Sequence, residues 1–420
     1  MLAFEAIESG TGYAVLALLS GALVMAGFLL PQGEPKKLRE SLTRSALALL
    51  VAFLIVSGFG LFLQGVKLHG GTIPPVEVLV RYLTMTRSGK VWLLQVFYGL
   101  ALALITFWMA RSTVSRKAVR VITLLALPLL ASRSLTSHAF AVQESTAFAV
   151  TADAIHLVAT GLWGGGLMAL SWVLYSGIRQ LGLPMAWASE TVRRFSLIAI
   201  ASVAILLATG LYQSWIQVGH LSALVSTTYG KILTLKLILF LGMAGLGAIN
   251  LLSTKPRFLK AARQGKEEPS TAKMALIRIG AESTLALMVF LVTGLLTALP
   301  PAVHALHQAA LVKNMSGSAS ASLTATRLQP AEGASVQILT PAPGQIFTGD
   351  QVPVQFKLLK GRRGDHVHAY VDGELMGMFL SKRGTLTGIK TGRHLLELRV
   401  VAEDHQTELD ARDRIEFWVR

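Results

Sequence analysis

Long apolar runs recur along the first 300 residues of this chain, and they constrain its fold more strongly than any other feature. A helix needs about 20 mostly apolar residues to cross the hydrocarbon core of a bilayer. Only 15% of the 420 residues are charged, whereas about 25% are charged in an ordinary soluble domain. The sequence therefore predicts an all-α polytopic membrane bundle of about eight helices over residues 1–300. The runs are Thr11–Leu30, Ser45–Leu63, Val91–Ala110, Val119–Ser134, Ala152–Tyr175, Phe195–Gln217, Ile232–Leu252 and Ile277–Leu299.

The loops between these runs differ in charge. The segments 31–44, 111–120, 176–194 and 253–278 hold 4, 4, 3 and 7 Lys and Arg residues, and the alternate loops hold far fewer. Because basic loops stay on the cytoplasmic side of a membrane, this pattern places both chain termini on the outer side. The net charge of +16 is concentrated in these loop clusters, so it indicates a membrane protein and not a partner of nucleic acid.

The chain changes character after residue 300. Residues 301–335 are rich in Ser and Ala and predict a flexible linker. Short β-rich runs follow, among them VPVQFKLL, HVHAYV and HLLELRVV, and Pro-Gly, Gly-Asp and Asp-Gly turn signals separate them. Six or seven such strands in residues 336–420 predict a small all-β, sandwich-like soluble domain on the outer side.

A polar stripe crosses the fifth apolar run. Asp153, His156, Thr160 and Trp163 recur at spacings of three or four, which places them on one face of a helix. Ionisable groups are costly inside a membrane and mark functional sites there. The chain has no cysteine, and imidazole with thioether ligands suits copper. The stripe is therefore a candidate metal site, and a hydrogen-bonded Asp153–His156 pair that only fixes helix packing is the alternative.

None of the ten histidines falls in a cytoplasmic loop of this topology. His138 precedes the polar stripe and is a second candidate ligand beside His156, although a residue of an interfacial loop would also be placed there. His304 and His307 are three residues apart, as on one helical face, and form a further candidate pair.

The β-rich tail contains another pair of histidines in the sequence HVHAYVDGELMGMF. Asp372-Gly373 predicts a type I′ turn, so this segment is expected to form a hairpin. With a strict two-residue turn, the alternation of side chains puts His366 and His368 on the face opposite the two methionines. We therefore expect Met376 and Met378 in the core, and the histidines as an exposed pair with weak affinity for copper.

Four motifs in the second half of the membrane region occur in an order that resembles one family. They are TADAIHLVATGLWGGGLMAL, RRFSLIAIASVAILLATGLYQSWIQVG, TTYGKILTLKLILF and IRIGAESTLALMVFLVTGLLTALPP. Residues 131–300 thereby resemble the CopD copper-resistance family of bacterial inner-membrane proteins. The resemblance implies capture of copper, as Cu(I) or Cu(II), on the periplasmic side, and its import for copper resistance and homeostasis. It points to His138, Asp153, His156, Trp163, Lys236 and Glu282.

The resemblance also implies a location and partners. The protein is expected in the bacterial inner (plasma) membrane, with several spans and with both termini in the periplasm. The expected partners are the lipid bilayer, the copper ion and a periplasmic copper chaperone of the CopC type. The tail is β-rich where some relatives carry a CopC-like domain, but it does not show the pattern of that domain clearly.

Charge and depth indicate that two of these residues have roles other than copper ligation. Lys236 would repel a copper ion, so it is expected to pair with Asp153 or to bind something anionic. A structural role, with the ammonium extended to the membrane surface, is the alternative. At a rise of 1.5 Å per residue, Glu282 lies too far inward to bind an ion held at His156. Glu282 is instead expected to act as a relay near the inner side of the membrane or to pair with Arg278, four residues away.

Trp163 and the Gly164–Gly166 run that follows it have two interpretations. Small residues let neighbouring helices approach closely, which favours a role in packing. The resemblance instead groups Trp163 with Lys236 and Glu282 along a transport pathway.

Two other functions stay open. Paired histidines in a helical bundle also hold haem, which is typical of a haem- or quinone-linked redox protein. An accessory protein that delivers copper to a periplasm-facing cuproenzyme would need the same ligands without transport. The sequence contains neither a nucleophile–base arrangement nor a phosphate-binding loop, so an enzyme is not expected.

Overall fold

The described residues form two compact units, an α-helical unit up to residue 302 and a β unit from residue 329. His138, His304 and His307 lie outside the described residues, as does most of the predicted linker at 301–335. The structure is a computed structural model that describes residues 2–33, 35–111, 115–137, 146–218, 221–263, 269–299, 302, 329–348, 351–379, 382–387, 389, 391–402 and 407–420.

Eight helical segments among the described residues are long and apolar enough to cross a membrane, which confirms the predicted number of spans. The fourth span forms in spite of Pro128, and a 3-10 turn at Ser132–Thr136 completes it. A π-helical turn at Gly161–Gly165 joins α6 and α7 into one span. The helices are α1 (Leu2–Val24), α2 (Lys36–Leu68), α3 (Val76–Met85), α4 (Arg87–Ala110), α5 (Arg116–Ala131), α6 (Thr146–Thr160), α7 (Gly166–Leu174), α8 (Met185–Val218), α9 (Ala223–Ser226), α10 (Thr228–Ile249), α11 (Lys255–Arg263) and α12 (Pro269–Ala298).

Helix α1 is the central helix of the membrane unit. It packs against α2, α5, α12 and the Gly161–Gly165 turn, and most of its residues are buried. A Cβ atom on Gly165 would lie 1.8 Å from the carbonyl oxygen of Ala17, and a Cβ atom on Gly21 would lie 2.1 Å from the Gly165 carbonyl. Only glycine allows two backbones to approach this closely, so the glycine run serves helix packing.

The helix ends define two faces of the bundle. The N-terminal face is the end where α1 begins and α2 ends, and the ion pair between Lys67 and Glu5 joins these helices there at 3.2 Å. The opposite face carries the basic loops. Arg116 donates a hydrogen bond of 2.8 Å to the carbonyl oxygen of Pro31, just past the end of the α1 span. Cations are favourable at a helix C-terminus because the last carbonyl oxygens lack partners in the helix.

Helix α3 is not among the predicted spans. It lies at the N-terminal face between the second and third spans, and it packs tightly against the start of α4. A Cβ atom on Gly89 would lie 2.1 Å from the carbonyl oxygen of Tyr82. The hydroxyl of Thr86 accepts a hydrogen bond of 3.0 Å from the amide of Gly89 and so caps α4.

The second unit consists of two β-sheets with strand orders β1-β3-β6 and β2-β8-β7-β4-β5. Side chains from both sheets, including Phe356, Val367, Leu398 and Phe417, form one core. The predicted sandwich-like domain is confirmed, and β2 and β6 add to the six predicted runs. The strands are β1 (Ser335–Thr340), β2 (Gln345–Phe347), β3 (Gln351–Leu359), β4 (Gly364–Val371), β5 (Glu374–Phe379), β6 (Arg383–Thr387), β7 (Gly392–Ala402) and β8 (Glu408–Val419).

Strands β4 and β5 form the predicted hairpin, but their register differs from the prediction. Both residues of the Asp372-Gly373 turn have positive φ angles, 54° and 86°, as a type I′ turn requires. A β-bulge after Ala369 then shifts the pairing, so that His368 pairs with Met378. The prediction that Met378 faces away from the histidines is therefore wrong, because directly paired residues share a face. Met376 packs against the core as predicted.

Arginine side chains surround Glu397 on β7. Nε of Arg399 lies 2.8 Å from one carboxylate oxygen, and Nε of Arg414 lies 3.0 Å from the other. Burial raises the pKa of Glu397, but the hydrogen bonds from these arginines outweigh it, so the pKa lies below its ordinary value of 4.5. The carboxylate is therefore ionised at neutral pH, and the ionised form stabilises the fold.

Candidate functional site

The polar stripe on α6 faces α8. Nδ1 of His156 lies 2.9 Å from the hydroxyl oxygen of Thr209 on α8. That hydroxyl donates its hydrogen to the carbonyl oxygen of Ile205, 2.7 Å away, so it accepts the hydrogen of the histidine. The imidazole therefore carries a hydrogen on Nδ1. In the neutral ring, Nε2 then keeps the lone pair with which imidazole binds a metal.

One turn earlier on α6, Asp153 is joined to the end of the preceding span. Its Oδ2 accepts a hydrogen bond of 2.7 Å from the hydroxyl of Ser137. Ser137 follows the 3-10 turn after α5, and it immediately precedes His138 in the sequence. The structure thus brings the end of α5 to the polar stripe, while His138 itself lies outside the described residues.

Lys236 on α10 brings a positive charge to this region. Its ammonium interacts electrostatically with the carboxylate of Asp153 and with the imidazole of His156. The interaction with Asp153 is one of the arrangements expected from the sequence. We call Asp153, His156, Thr209 and Lys236 the polar group.

The members of the polar group share one depth. Counted at 1.5 Å per residue from the helix ends at the N-terminal face, all four lie about 10 to 15 Å into the bundle. Glu282 on α12 lies about 24 Å in on the same count. This depth agrees with the expectation that Glu282 does not share an ion with His156.

A second pair of polar residues, Glu282 and Asn250, lies deeper in the bundle. Glu282 is buried, and it accepts a hydrogen bond from the side-chain amide of Asn250. Trp163 lies at a similar depth, about 25 Å from the start of α6. Its ring meets the ring of Phe240 edge-on, with 5.5 Å between the ring centroids. Buried carboxylates inside a membrane mark ion pathways and relays, so Glu282 retains that candidate role.

A cavity of ≈ 270 Å³ lies among α1, α2, α3, α4 and the end of α5. Its lining includes Glu8, Gln95 and Arg133. Gln95 is only 3% exposed, and its Nε2 has no hydrogen-bond partner among the described residues, nor has Nε of Arg133. Buried polar atoms of this kind need a water, an ion or a ligand. The Arg133 guanidinium lies 5.4 Å from the ring centroid of Tyr13, and Tyr13 interacts electrostatically with Asp153, so the cavity and the polar group are neighbours.

Sequence reasoning missed Thr209, Glu8 and Tyr13. Thr209 is one of the few polar residues in the apolar run of α8, and that is a signal which the sequence carries. Glu8 was missed because the predicted first span starts at Thr11, whereas the helix already begins at Leu2.

The tail histidines His366 and His368 are buried, with 1% and 4% of their surface exposed. The prediction of an exposed pair is therefore wrong. Strand β4 lies inside its sheet, between β5 and β7. A network on the same face adds to this burial, because both Tyr370 and Arg399 donate hydrogen bonds to the carboxylate of Glu408. The two Nε2 atoms of the histidines are 3.2 Å apart.

Each histidine of this pair has a carboxylate at its other ring nitrogen. Oδ2 of Asp365 lies 3.4 Å from Nδ1 of His366, and Oε1 of Glu408 lies 3.7 Å from Nδ1 of His368. Burial raises the pKa of Glu408, but its interactions with His368 and with its other hydrogen-bond donors lower that pKa to about 2. In the described part of the chain, no cluster of three or more His, Asp or Glu side chains is arranged to hold a metal ion.

Comparison with known proteins finds two matching family models. The model described as copper resistance protein D matches residues 189–296, and the model described as the copper resistance protein D-like N-terminal domain matches residues 9–148. The first four spans therefore match as well, although the sequence motifs indicated only residues 131–300. Asp153 and His156 fall between the two matched ranges.

Two curated relatives carry related names. The chain is 33% identical over 193 residues to the copper transport protein CutJ of Bacillus subtilis, which covers 46% of this chain and 34% of that protein. It is 28% identical over 196 residues to copper resistance protein D of Pseudomonas syringae pv. tomato, which covers 46% of this chain and 62% of that protein. The chain thus spans about a third and about three fifths of the length of these relatives.

One similar solved structure contains the fibronectin(III)-like modules of CbhA from Clostridium thermocellum. The two sequences are 18% identical, and the match covers 20% of this chain and 45% of the chain in that structure. Its TM-score of 0.17 is too low to support any argument about fold or function.

Proposed function

The chain belongs to the copper resistance protein D family, and we propose that it captures copper at the N-terminal face of its bundle and transports it across the membrane. It is a copper-related membrane protein by its apolar helices and by its relatives. The basic loops of the opposite face favour the cytoplasm for that side. In the proposal, the N-terminal face is therefore periplasmic in a bacterial inner membrane, and transport is import for copper resistance and homeostasis.

The hydrogen bond between His156 and Thr209 is the observation that supports this proposal most directly. It fixes the hydrogen of the imidazole on Nδ1 and leaves the lone pair on Nε2, at a depth that an ion from the N-terminal face reaches first. Metal-binding histidines are oriented in the same way, by a hydrogen bond at the ring nitrogen that does not bind the metal. Asp153 supplies a carboxylate one turn away and is the second proposed ligand.

Lys236 has a different part in the proposal. A cation near the ligands lowers their affinity for copper by repulsion, and a transported ion has to leave its site as well as enter it. In the unloaded protein Lys236 neutralises Asp153. When copper binds, the ion takes over this neutralisation and the ammonium is displaced.

Residues on either side of the polar group complete the proposed path. His138, His304 and His307, outside the described residues, are proposed as outer ligands that hand copper to His156. Glu282 and Trp163 are proposed to line the inner part of the path. Because α12 ends at the N-terminal face, the β unit is proposed to lie in the same outer compartment, where a CopC-type chaperone would donate copper.

The experiment compares His156→Ala with His69→Ala in the purified full-length protein. His69 is an exposed histidine at the end of α2, so its replacement controls for the loss of one imidazole. We expect His156→Ala to lose one bound copper ion per chain and to stop copper uptake into proteoliposomes, while His69→Ala behaves like the wild type. Unchanged copper uptake by the folded His156→Ala protein would refute the site assignment.

Two further readouts separate this proposal from its alternatives. Copper that binds at His156 but does not enter proteoliposomes would indicate an accessory protein that only delivers the ion. A Soret band in the absorbance spectrum of the purified protein would instead indicate a haem protein.

A further inference from the structure

The β unit holds two buried imidazoles whose Nε2 atoms face each other. His366 and His368 are buried on β4, and their Nε2 atoms are 3.2 Å apart. Their Nδ1 atoms face the carboxylates of Asp365 and Glu408. At 3.4 and 3.7 Å these are ionic contacts and not hydrogen bonds. The two Nε2 atoms lie within hydrogen-bond distance, so one of them carries a hydrogen in the unloaded pair. A metal ion bound to both nitrogens would replace that hydrogen.

We propose that His366 and His368 form a second copper site, separate from the membrane bundle, with Nε2 of both rings as ligands. Metal-binding histidines commonly have a carboxylate beside the ring nitrogen that does not bind the metal, and Asp365 and Glu408 lie near those nitrogens here. The inference rests on the copper function proposed above only for the choice of the metal. The geometry of the two rings supports a metal site independently of His156.

The distance between the two nitrogens fits one shared ion. With metal–nitrogen distances of about 2.0–2.1 Å, nitrogens 3.2 Å apart subtend an angle of roughly 100–105° at the metal. This angle is close to tetrahedral, so two imidazoles leave room for further ligands. Two-coordinate linear binding, which needs nitrogens about 4 Å apart at the same bond lengths, does not fit.

Met378 is placed to be the third ligand. The β-bulge after Ala369 makes Met378 the direct cross-strand partner of His368. The Cβ atoms of such partners are about 4.5–5.5 Å apart on one face of the sheet, so the flexible thioether reaches the space beside the imidazole. Imidazole binds both oxidation states of copper, whereas a thioether favours Cu(I). Met376 packs against the core of the domain instead.

The test uses the full-length protein in nanodiscs, loaded with copper alone and then desalted. The double variant His366→Ala/His368→Ala is expected to retain one copper ion fewer per chain than the wild type. His394→Ala is the matched control, because His394 belongs to the same domain but is held by Asp372 at 2.6 Å. His156→Ala should keep the copper of the β unit, so failure of this site and failure of the membrane site are distinguishable. Wild-type copper retention by the double variant would overturn the proposal.

Two measurements keep the proposal testable if the double variant does not fold. The Cu(II) electron paramagnetic resonance spectrum of the His156→Ala protein should show coupling to two imidazole nitrogens, and a spectrum without nitrogen coupling would overturn the site. In competition with a Cu(I) chelator, Met378→Leu should show a loss of Cu(I) affinity, because the site loses its soft thioether ligand. Met376→Leu should bind Cu(I) like the wild type, and equal Cu(I) affinity of the two variants would remove Met378 from the site.

A competition between metals tests the choice of copper. Displacement of the bound copper by an equal concentration of Zn(II) would refute that choice, since copper binds such ligands more tightly.

Discussion

Replacement of Thr209 by valine removes the hydroxyl that fixes the tautomer of His156 and leaves the side-chain shape nearly unchanged. In the wild type, the Thr209 hydroxyl oxygen lies 2.9 Å from Nδ1 of His156. Without that oxygen, the imidazole has no acceptor for its Nδ1 hydrogen. The ring is free to rotate or to move its hydrogen to Nε2, and either change blocks the lone pair that the proposal assigns to copper. We therefore expect Thr209→Val to weaken copper binding at His156 without abolishing it.

Two independent estimates give the size of this effect. Loss of a partner that orients a metal-binding histidine weakens metal affinity by about 10- to 100-fold, which corresponds to about 1.4 to 2.7 kcal/mol. A buried donor without an acceptor costs about 1 to 3 kcal/mol. The two ranges agree, so a dissociation constant raised by about one to two orders of magnitude is expected.

The assay is a competition titration of purified full-length protein against a chromophoric copper chelator. It is run in the His366→Ala/His368→Ala background to remove the tail histidines. Thr209→Ser keeps the hydroxyl and is expected to bind copper like the parent protein. Copper binding by Thr209→Val at parent strength would refute the tautomer argument, as would a Thr209→Ser variant as weak as Thr209→Val.

Three further predictions follow from the helix packing, the charges of the bundle and the β unit. Gly165→Ala should destabilise the membrane unit by about 3 kcal/mol through overpacking, measured as a lower midpoint of thermal denaturation in detergent. Gly245→Ala should leave that midpoint unchanged, because no atom lies within 4 Å of the new Cβ. Lys236→Met should tighten copper binding about tenfold by removing a like charge and slow copper uptake, and weaker binding would contradict the proposed role. Glu397→Gln should destabilise the β unit by about 1.5 to 3 kcal/mol at pH 7. Because the folded pKa of Glu397 lies below 4.5, this difference should shrink as the pH falls below that value. Glu416→Gln, which breaks an exposed ion pair, should change little at either pH.

The membrane architecture was predictable because it depends on properties that are local in the sequence. A span is set by the length of an apolar run, so all eight spans among the described residues were predicted, including the one with Pro128. The strands of the β unit were found in the same way, from alternation and turn signals. Errors arose at boundaries, where α1 extends back to Leu2 and thereby includes Glu8 in the helix.

Partners across the bundle were not predictable to the same degree. The spacing of Asp153 and His156 indicated a polar stripe, but only the packing of α6 against α8 selects Thr209 as the partner of the imidazole. Ser137 reaches Asp153 across 16 residues of sequence. Contacts of this kind depend on how helices rotate and cross, and a hydrophobic pattern does not specify that rotation.

The tail hairpin separates most clearly what the sequence determined from what the tertiary structure decided. The sequence determined the Asp372-Gly373 turn, because few other residue pairs adopt two consecutive positive φ angles. It did not determine the bulge after Ala369, and one extra residue reverses the face of every side chain beyond it. The tertiary structure thus decided that His368 pairs with Met378 across the two strands. Placing β4 between two neighbouring strands likewise decided that the histidines are buried beside carboxylates and not exposed. The physical reason is that turn chemistry acts within four residues, whereas register and burial depend on the neighbouring strands.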